Sequence, residues 1–313
     1  MNFQQLRYVR ETVRRGLSLT EAANALHTSQ PGVSKQVREL ENELGFEIFV
    51  RHGKRIAALT EPGKAVLEII ERVLLEAENL KRAADDFRDQ EAGSLTIATT
   101  HTQARYALPR VVTEFKRRYP RVRLTMQQAN PPQLAEMVLA GAADIAVASE
   151  ALDDCPGLLA MPAYTWNHCA VVPSGHALLK AERLTLEALA RHPIVTYDPA
   201  FSGRANIDAA FAAARLEAEV VLSAIDADVI KTYAELGLGV GIIAAMAFDE
   251  RRDSLLRAID CAHLFRSNTT RVAVKRGSLL RGYAFAFIEL FAPTLTRQTV
   301  QRALAGGGEL YEL

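Results

Sequence analysis

Hydroxyl and amide side chains follow several predicted strands in the last two thirds of the chain, and together they could bind a small oxyanion. The set comprises Thr99 to Gln103, Ser149 and Glu150, Thr196, and Ser202 to Arg204. Ligands of open α/β sheets bind at the carboxyl ends of strands, often on helix N-termini. Hydroxyl, amide and backbone N–H groups there can hold an oxyanion without a full countercharge. Helix capping alone is the alternative role for each Ser and Thr.

A second group of side chains, near the N-terminus, could recognise DNA. A helix predicted from Gln30 to about Leu44 has an apolar inner face, and its outward-facing residues are Gln30, Ser34, Lys35 and Arg38. Gln and Arg form paired hydrogen bonds to base edges, while Ser and Lys contact bases or phosphates. A three-helix bundle with an ordinary polar surface is the alternative that spacing alone leaves open.

A basic turn follows this helix. Residues Phe46 to Val50 alternate like a half-buried strand and run into a turn at Gly53 that carries Arg51, Lys54 and Arg55. Such a hairpin beside a DNA-recognition helix would lie on the phosphate backbone or in the minor groove. The first sixty residues hold nine Lys or Arg against six Glu, so any contact with DNA should lie in this part of the chain.

Catalytic, metal and cofactor sites are not indicated. The histidines at 101, 168, 176 and 192 stand in no ligand spacing, and the three cysteines lack CxxC spacing. No Ser, His and acid form a recognisable triad, which argues against an enzyme. The glycines at 237, 239 and 241 precede a predicted strand and lack the GxGxxG spacing of a dinucleotide loop. We therefore expect no catalytic residues, no metal ligands and no cofactor.

Local signals predict the helices that position the DNA-recognition group. Apolar residues recur at helical spacing from Phe3 to Arg15, and Gly16 stops that helix. Ser18 can cap a short second helix, and Ser29 can cap the third, which has Pro31 in its first turn. The three predicted helices and the basic turn have the composition of a compact DNA-binding domain.

The whole composition sets wider limits. The chain has 313 residues, 49% of them hydrophobic, which favours two or three domains over one. Basic and acidic residues balance at 37 each, so nucleic acid would not be bound over the whole surface. Neither a membrane span nor a signal peptide is visible, and we expect a cytoplasmic protein with no membrane partner.

The N-terminal residues resemble a known family. The run from Leu19 to Glu41, followed by Leu44-Gly45, Phe49 to Arg51 and Leu59 to Gly63, is similar to the winged helix-turn-helix of LysR-type transcriptional regulators. The resemblance implies DNA contacts by a set that includes the helix N-terminus and the wing. These residues are Ser29, Gln30, Pro31, Ser34, Lys35, Arg38, Arg51, Lys54 and Arg55.

A long helix is predicted after Gly63. Val66, Ile70, Val73, Ala77, Leu80, Ala84 and Phe87 alternate four- and three-residue steps, as in a coiled-coil seam. Two such rods would pair two chains, so we expect at least a dimer. An amphipathic helix packed on its own domain is the alternative.

Two α/β lobes are predicted from residue 94 onward. Strand, helix and strand alternate from Leu95 to Ala148, and a second such unit follows from about Cys169 to Phe291. Two lobes in succession resemble the type 2 periplasmic-binding-protein fold that LysR-type proteins carry as an effector domain. The fold class is therefore α/β, with a winged helix-turn-helix (1–60), a linker and dimerisation helix (61–92) and a two-lobed effector-binding domain (93–313).

Blocks in these lobes resemble the CysB branch of that family, the regulators of sulfur assimilation and sulfonate use. The blocks are Thr99 to Pro109, Asp226 to Tyr233 and Gly237 to Gly241. The resemblance places an anion against Thr100, Thr102, Gln103, Ser149 and Ser202, with Ser at 149 and 202 where some members have Thr. Trp166 matches a cleft-side aromatic residue of the branch, although a buried core position is its alternative. Thr196 completes the predicted effector-binding set.

The resemblance implies a transcription activator whose effector closes the cleft and alters how the protein holds DNA. The implied partners are promoter DNA, RNA polymerase, further copies of the chain in a homodimer or homotetramer, and one small effector. The candidate effectors are sulfate, thiosulfate, adenosine phosphosulfate, O-acetylserine and N-acetylserine. A solute-binding sensor and a LysR-type regulator of an unrelated pathway are the alternatives.

Overall fold

The computed structural model describes residues 1–53, 55–149 and 152–306, and within these ranges the side chain of Ser202 is not described. The chain divides into two compact units, Met1–Asp85 and Asp86–Leu313. None of the helices in the described ranges is both long enough and apolar enough to cross a membrane.

The N-terminal unit contains three helices, which are α1 (Phe3–Arg14), α2 (Leu19–Ala25) and α3 (Gln30–Leu44). The Ser18 hydroxyl oxygen accepts the Glu21 N–H at 3.2 Å and so caps α2. Ser29 caps α3 in the same way, and Gly45 ends it in the left-handed conformation with φ +78°. The predicted bounds of α3 are therefore confirmed.

The core of this unit lies on the inner faces of the helices. Its fully buried residues include Val9, Val33, Val37 and Leu40. The wing follows as two antiparallel strands, β1 (Phe49–His52) and β2 (Arg55–Leu59), joined through Gly53 at φ +63°. The first strand begins later than predicted because Ile48 is a buried core residue whose N–H is bound by the Glu41 carboxylate at 2.8 Å.

Helix α4 (Glu61–Arg88) leaves the wing and runs for 28 residues. The apolar residues along this helix are buried at its start and exposed further along. Val66 and Ile70 pack into the core of the N-terminal unit. Val73, Leu80 and Phe87 are exposed, Phe87 to 91%. Two residues of the predicted seam therefore belong to the core of the same chain, three others are exposed, and pairing through this helix stays a prediction.

The second unit contains the remaining elements. Its strands are β3 (Gly93–Thr99), β4 (Val122–Gln128), β5 (Ile145–Ala148), β6 (Leu158–Trp166), β7 (His168–Pro173), β8 (Ile194–Tyr197), β9 (Val220–Ala224), β10 (Val240–Ala244), β11 (Leu256–Asp260) and β12 (Asn268–Lys275). Its α-helices are α5 (Leu108–Arg118), α6 (Pro131–Ala140), α7 (Leu186–Leu189), α8 (Ser202–Ala213), α9 (Ala227–Glu235), α10 (Gly282–Phe291) and α11 (Arg297–Leu304). The elements β6, β11, α7 and α11 had no clear signal in the sequence.

These elements form two lobes. Lobe one has a five-stranded sheet in the order β4-β3-β5-β12-β6, and lobe two has one in the order β11-β7-β10-β8-β9. Each sheet carries apolar clusters on both faces. The chain passes between the lobes at Asn167 and again between β11 and β12. Two crossings between two α/β lobes confirm the predicted architecture.

Candidate functional site

A cleft between the lobes brings together five residues of the predicted effector-binding set. Thr100, Thr102, Gln103, Ser149 and Trp166 line it from lobe one. Tyr197, Phe201 and Gly203 line it from lobe two. The cleft has about 370 Å³ of empty space, counting the part that opens to solvent. This volume is at the small end of ligand pockets and favours a small ion or metabolite.

The segment that follows β3 is wound more widely than an α-helix. Gln103–Ala107 forms one π-helical turn that leads into α5. Pro109, in the first turn of α5, has no N–H to donate to the carbonyl four residues earlier, and this favours the wider turn. Such turns are frequent at functional sites. Here the turn sends Gln103 towards the cleft and the next residues towards lobe two.

The Gln103 amide is fixed inside lobe one. It is 3% exposed, its Nε2 donates to the Thr270 hydroxyl at 3.0 Å, and its Oε1 accepts the Tyr164 O–H. Thr270 and Tyr164 are cross-strand partners on β12 and β6. Burial raises the pKa of Tyr164, so its hydroxyl stays protonated and remains a donor.

Thr196 and Tyr197 end β8, and they face opposite sides of the sheet. The Thr196 hydroxyl is buried and donates to the Ile242 carbonyl at 3.0 Å, and Thr196 does not line the cleft. Its neighbour Tyr197 does line it. The Tyr197 hydroxyl accepts the Ala244 N–H at 3.0 Å. Burial raises the pKa of Tyr197 far above neutrality.

An aromatic wall, in which Trp166 lines the cleft and His168 packs behind it, closes one side of the cleft. The Trp166 and His168 rings meet edge to face with centroids 5.1 Å apart. A Cβ atom at position 203 would lie 3.2 Å from each ring, so Gly203 leaves the wall just enough room. Burial lowers the pKa of His168 to about 4, and the backbone of Gly203 faces the ring without forming a hydrogen bond of good geometry. The histidine is therefore neutral at physiological pH.

The described lining of the cleft carries no carboxylate, lysine, arginine or histidine. Arg204, the nearest predicted cation in sequence, is bound elsewhere: it pairs with Asp208 at 2.7 Å and donates to the Tyr197 carbonyl at 3.0 Å. The Ser202 side chain and Glu150 lie outside the described residues. Hydroxyl, amide and indole groups are what the described lining offers to a ligand.

A charged group of residues joins the lobes beside the cleft. This interlobe cluster consists of Arg105, Tyr106, Asp228, Lys231 and Asp253. Tyr106 extends from lobe one onto the core of lobe two and donates its O–H to Asp228 at 2.6 Å. Arg105 and Lys231 pair with the same carboxylate, and Lys231 also pairs with Asp253 at 3.0 Å.

The charges of this cluster compensate one another. Burial pushes the pKa of Asp228 up, but hydrogen bonds from Tyr106 and Lys231 and the charges of Lys231 and Arg105 outweigh burial, so the pKa lies below its ordinary value. His101, Asp226 and Asp228 approach one another closely enough to suggest a metal site. Asp226, however, caps α9, and two cations already compensate Asp228, so these donors do not suit a further cation.

The predicted DNA-binding residues of α3 lie together on one side of the N-terminal unit. Pro31, Lys35 and Arg38 are exposed, while Gln30 and Ser34 are half-buried. The Ser29 oxygen is occupied as the cap of α3 at 3.3 Å from the Gly32 nitrogen. Gln30 and Arg55 border one groove between α3 and the wing. The geometry therefore offers a single surface to a partner.

Arg51 differs from the other predicted basic residues. Its guanidinium makes two hydrogen bonds to the Glu41 carboxylate, at 2.6 and 3.2 Å, and Glu41 is 5% exposed. The same carboxylate accepts the N–H groups of Ile48 and Phe49. Arg51 therefore holds the wing against α3, and Arg55 stays exposed. Lys54 lies outside the described residues.

Sequence reasoning missed Tyr197 and Phe201 in the lining of the cleft, and Tyr164 behind it. Tyr164 lies on β6, a strand without a clear sequence signal. Tyr197 was adjacent to a predicted site residue, but the period-two alternation of a strand does not say which of two neighbours faces the ligand. Gly203, in contrast, belongs to the predicted set and does line the cleft.

Two family models match this chain, one near its N-terminus and one over most of the second unit. The family model described as "Bacterial regulatory helix-turn-helix protein, lysR family" matches residues 3–64. The model described as "LysR substrate binding domain" matches residues 88–296. The first match covers α1 to the start of α4, and the second covers both lobes of the second unit up to the loop before α11.

Individual relatives match over nearly the whole chain. The HTH-type transcriptional regulator SsuR of Burkholderia cenocepacia is 56% identical over 300 residues, 96% of this chain and 97% of its own length. The HTH-type transcriptional regulator CysB of the same organism is 55% identical over all of both chains. A crystal structure of the cofactor-binding domain of the Cbl transcriptional regulator is 45% identical, with a TM-score of 0.66, and covers 68% of this chain and 93% of that domain.

Proposed function

The chain belongs to the LysR family of transcriptional regulators, in the branch that includes CysB, SsuR and Cbl, and from this premise we propose that it controls genes of sulfur assimilation or sulfonate use in response to a small effector bound in the interlobe cleft. The observation that carries the proposal is the cleft itself, in which five predicted polar or aromatic residues meet without a charged side chain among the described lining. The regulator is proposed to act mainly as an activator.

The chemistry of the cleft favours an anionic or zwitterionic effector. Hydroxyl, amide and indole groups stabilise an oxyanion by hydrogen bonds that are aimed before the ligand arrives. Sulfate, thiosulfate, adenosine phosphosulfate, O-acetylserine and N-acetylserine are the candidates. The small volume favours the smaller members of this set. The matched domain of Cbl is described as cofactor-binding, which supports a ligand-binding role for the same region here.

The DNA-binding surface is proposed to lie on α3 and the wing. Gln30, Ser34, Lys35 and Arg38 would contact base edges and phosphates, and Arg55 would add a backbone contact. Ser29 and Pro31 would orient the start of the helix, and the Arg51 pair with Glu41 makes a supporting role more suitable for that residue. Lys54 is proposed as a further phosphate contact from its sequence position alone.

The proposed organisation is a DNA-binding domain at 1–60, a linker at 61–92 and an effector domain at 93–313. The exposed Val73, Leu80 and Phe87 of α4 support pairing of two chains, as a homodimer or within a homotetramer. We place the protein in the cytoplasm, with RNA polymerase as a further partner. Effector binding is proposed to change the population of closed lobes and thereby the way the assembly holds DNA.

The effector assignment is tested by calorimetric titration of the full chain with the five candidates. We expect one sulfur-pathway compound to bind tightly, and Gln103→Ala to weaken its binding by about tenfold or more, because the variant removes a buried amide donor. Basal DNA binding should be unchanged in that variant. Binding of none of the five would remove the sulfur role, and loss of DNA binding together with effector binding would give Gln103 a folding role.

The DNA assignment is tested by mobility-shift titration of a promoter fragment at fixed salt. Arg38→Ala should weaken DNA binding by about 1–3 kcal/mol if Arg38 contacts a base edge, and it should leave effector affinity unchanged. Arg302→Ala, on α11, is the matched control because it removes an arginine far along the chain from the proposed surface. Unaltered DNA binding by the Arg38 variant would overturn its assignment.

A further inference from the structure

We infer that a hydrogen bond between Asn206 and Asn268 positions the two sides of the cleft, so that both asparagines are positioning residues for effector binding. Asn206 is on α8 in lobe two, and Asn268 begins β12 in lobe one. The bond joins Asn206 Nδ2 to Asn268 Oδ1 at 2.8 Å. The inference rests on the proposed function, since it concerns the same cleft. It goes beyond that function because it assigns a role to two residues outside the described lining.

Asn268 is attached to the side of the cleft that lobe one contributes. It is directly opposite Trp166 in the antiparallel pairing of β12 with β6. Directly opposite side chains of such a pair lie on the same face of the sheet, with their Cβ atoms about 5 Å apart. Trp166 lines the cleft. A displacement of Asn268 would therefore move the strand against which the Trp166 strand is paired.

Asn206 is attached to the side that lobe two contributes. It follows Gly203 by three residues on α8, and residues at this spacing share one face of a helix. Gly203 lines the cleft. The helix is held in lobe two by Ile207 and Phe211, which are buried in the core of that lobe. One face of α8 thus belongs to the core of lobe two, while Asn206 bonds the helix to lobe one.

The bond lies where the chain crosses between the lobes. Trp166 ends β6 immediately before the crossing at Asn167, and Asn268 is the first residue of β12 after the second crossing. In hinge closure the backbone changes are concentrated in a few residues at such crossings, and groups beside them move little. The Asn206–Asn268 bond can therefore hold the two sides of the cleft in place in both the open and the closed state.

The Asn268 side chain depends on this bond. It is fully buried, its oxygen is bonded to Asn206, and its Nδ2 has no hydrogen-bond partner among the described residues. Either amide can turn over and still offer an N–H to the oxygen of the other, so the bond does not depend on which residue is the donor. Loss of Asn206 would leave a buried amide unsatisfied. Asn268 would have to move to find another partner, and β12 would move with it.

The fluorescence of Trp166 tests this, because Trp166 is the only tryptophan of the chain. In the full chain, Asn206→Ala should shift the emission to longer wavelength and make it easier to quench with acrylamide. Calorimetry should show sulfate binding weakened by about three- to tenfold, as expected for the loss of one hydrogen bond. Asn24→Ala, at an exposed asparagine of α2, is the matched control and should change neither quantity.

Two further variants separate the bond from the volume of the side chain. Asn206→Asp keeps an oxygen that can accept an Asn268 N–H, so it should keep the emission and quenching of the wild type. Asn206→Leu has a similar volume but no hydrogen-bonding group, so it should behave like Asn206→Ala, and it replaces that variant if the latter does not fold. Unchanged emission in Asn206→Ala, equal changes in the Ala and Asp variants, or unchanged sulfate affinity in Asn206→Ala would each overturn the inference.

Failure of the proposed function has a different outcome. If the wild type does not bind sulfate, the affinity comparison uses whichever of the five candidates does bind. If none of them binds, the proposed function fails, and with it the role of the bond in effector binding. The emission of the free protein would still show whether the bond between Asn206 and Asn268 positions Trp166.

Discussion

The cleft and the interlobe cluster differ in almost every property, although one short segment supplies side chains to both. Thr102 and Gln103 line a cleft whose described lining carries no charged side chain. A few residues later, Arg105 and Tyr106 reach into a cluster of four charged groups whose charges are paired with one another. The π-helical turn from Gln103 to Ala107 lies between the two and directs successive side chains to different regions.

The difference separates two tasks that a two-lobed sensor must perform. Neutral groups with unused donors are available to a ligand, and their arrangement determines which ligand fits. Charged groups that satisfy one another have little left to offer a ligand, but the bonds of Arg105 and Tyr106 to Asp228 join the two lobes. We therefore expect the cluster to affect how often the lobes are closed, and the cleft to determine which ligand favours closure.

His168, behind the cleft, is also uncharged in the folded protein. The pH dependence of the unfolding free energy that follows is the largest effect we expect. The pKa of His168 is lowered from 6.5 to about 4 by burial. Between these values the unfolded chain binds a proton and the folded chain does not, so stability falls as pH falls through this window. The difference corresponds to about 3 kcal/mol of unfolding free energy, lost by about pH 4.

The measurement is chemical denaturation of the wild type and of His168→Leu at several pH values from neutral to 4. The difference between the two unfolding free energies should change by about 3 kcal/mol across the window. His52→Gln, at an exposed histidine of the wing, is the control. If the unfolding free energies of the wild type and the His168 variant changed with pH in parallel, His168 would not be held neutral in the folded protein. That result would contradict the contrast between a neutral cleft and a charged interlobe cluster.

The N-terminal unit could be predicted from sequence because its signals are local. Ser29, Pro31 and Gly45 mark the two ends of α3, and the spacing of Val33, Val37 and Leu40 selects its inner face. The cleft was predictable only in part. Thr100, Thr102 and Gln103 were found because they follow a strand at a sheet edge where ligands bind.

The rest of the cleft depends on contacts that are distant in sequence. Tyr164 reaches Gln103 from 61 residues away, and Thr270 from 167. The Arg51 pair with Glu41 was hidden for a related reason, since an arginine in a basic turn has the same composition whether it faces DNA or a buried carboxylate. Composition and hydrophobic periodicity predict where helices and strands lie. The group to which a side chain forms its hydrogen bonds depends on its neighbours in the tertiary structure.

A second prediction concerns a variant that disrupts the interlobe cluster and leaves the lining of the cleft unchanged. Asp228→Asn removes the negative charge that Arg105 and Lys231 share, so the closed state should be less populated. Sulfate affinity should fall by about tenfold, since the apparent dissociation constant rises as the competent fraction falls. Phosphate affinity should fall by the same factor. A change in the sulfate-to-phosphate ratio would contradict the separation of the two tasks, and Asp208→Asn, at the exposed partner of Arg204, is the control.

The variant with the smallest expected effect removes a single hydrogen bond between the lobes. Tyr106→Phe removes the O–H that Asp228 accepts at 2.6 Å, but it keeps the ring that lies 5.4 Å from the Lys231 ammonium. Only one hydrogen bond is lost, so sulfate affinity measured by calorimetry should fall by about threefold, or ~0.7 kcal/mol. Because Tyr106 and Asp228 act on the same closure, the double variant with Asp228→Asn should bind sulfate no more weakly than Asp228→Asn alone. Additive losses would mean that the two residues do not act through one shared contact.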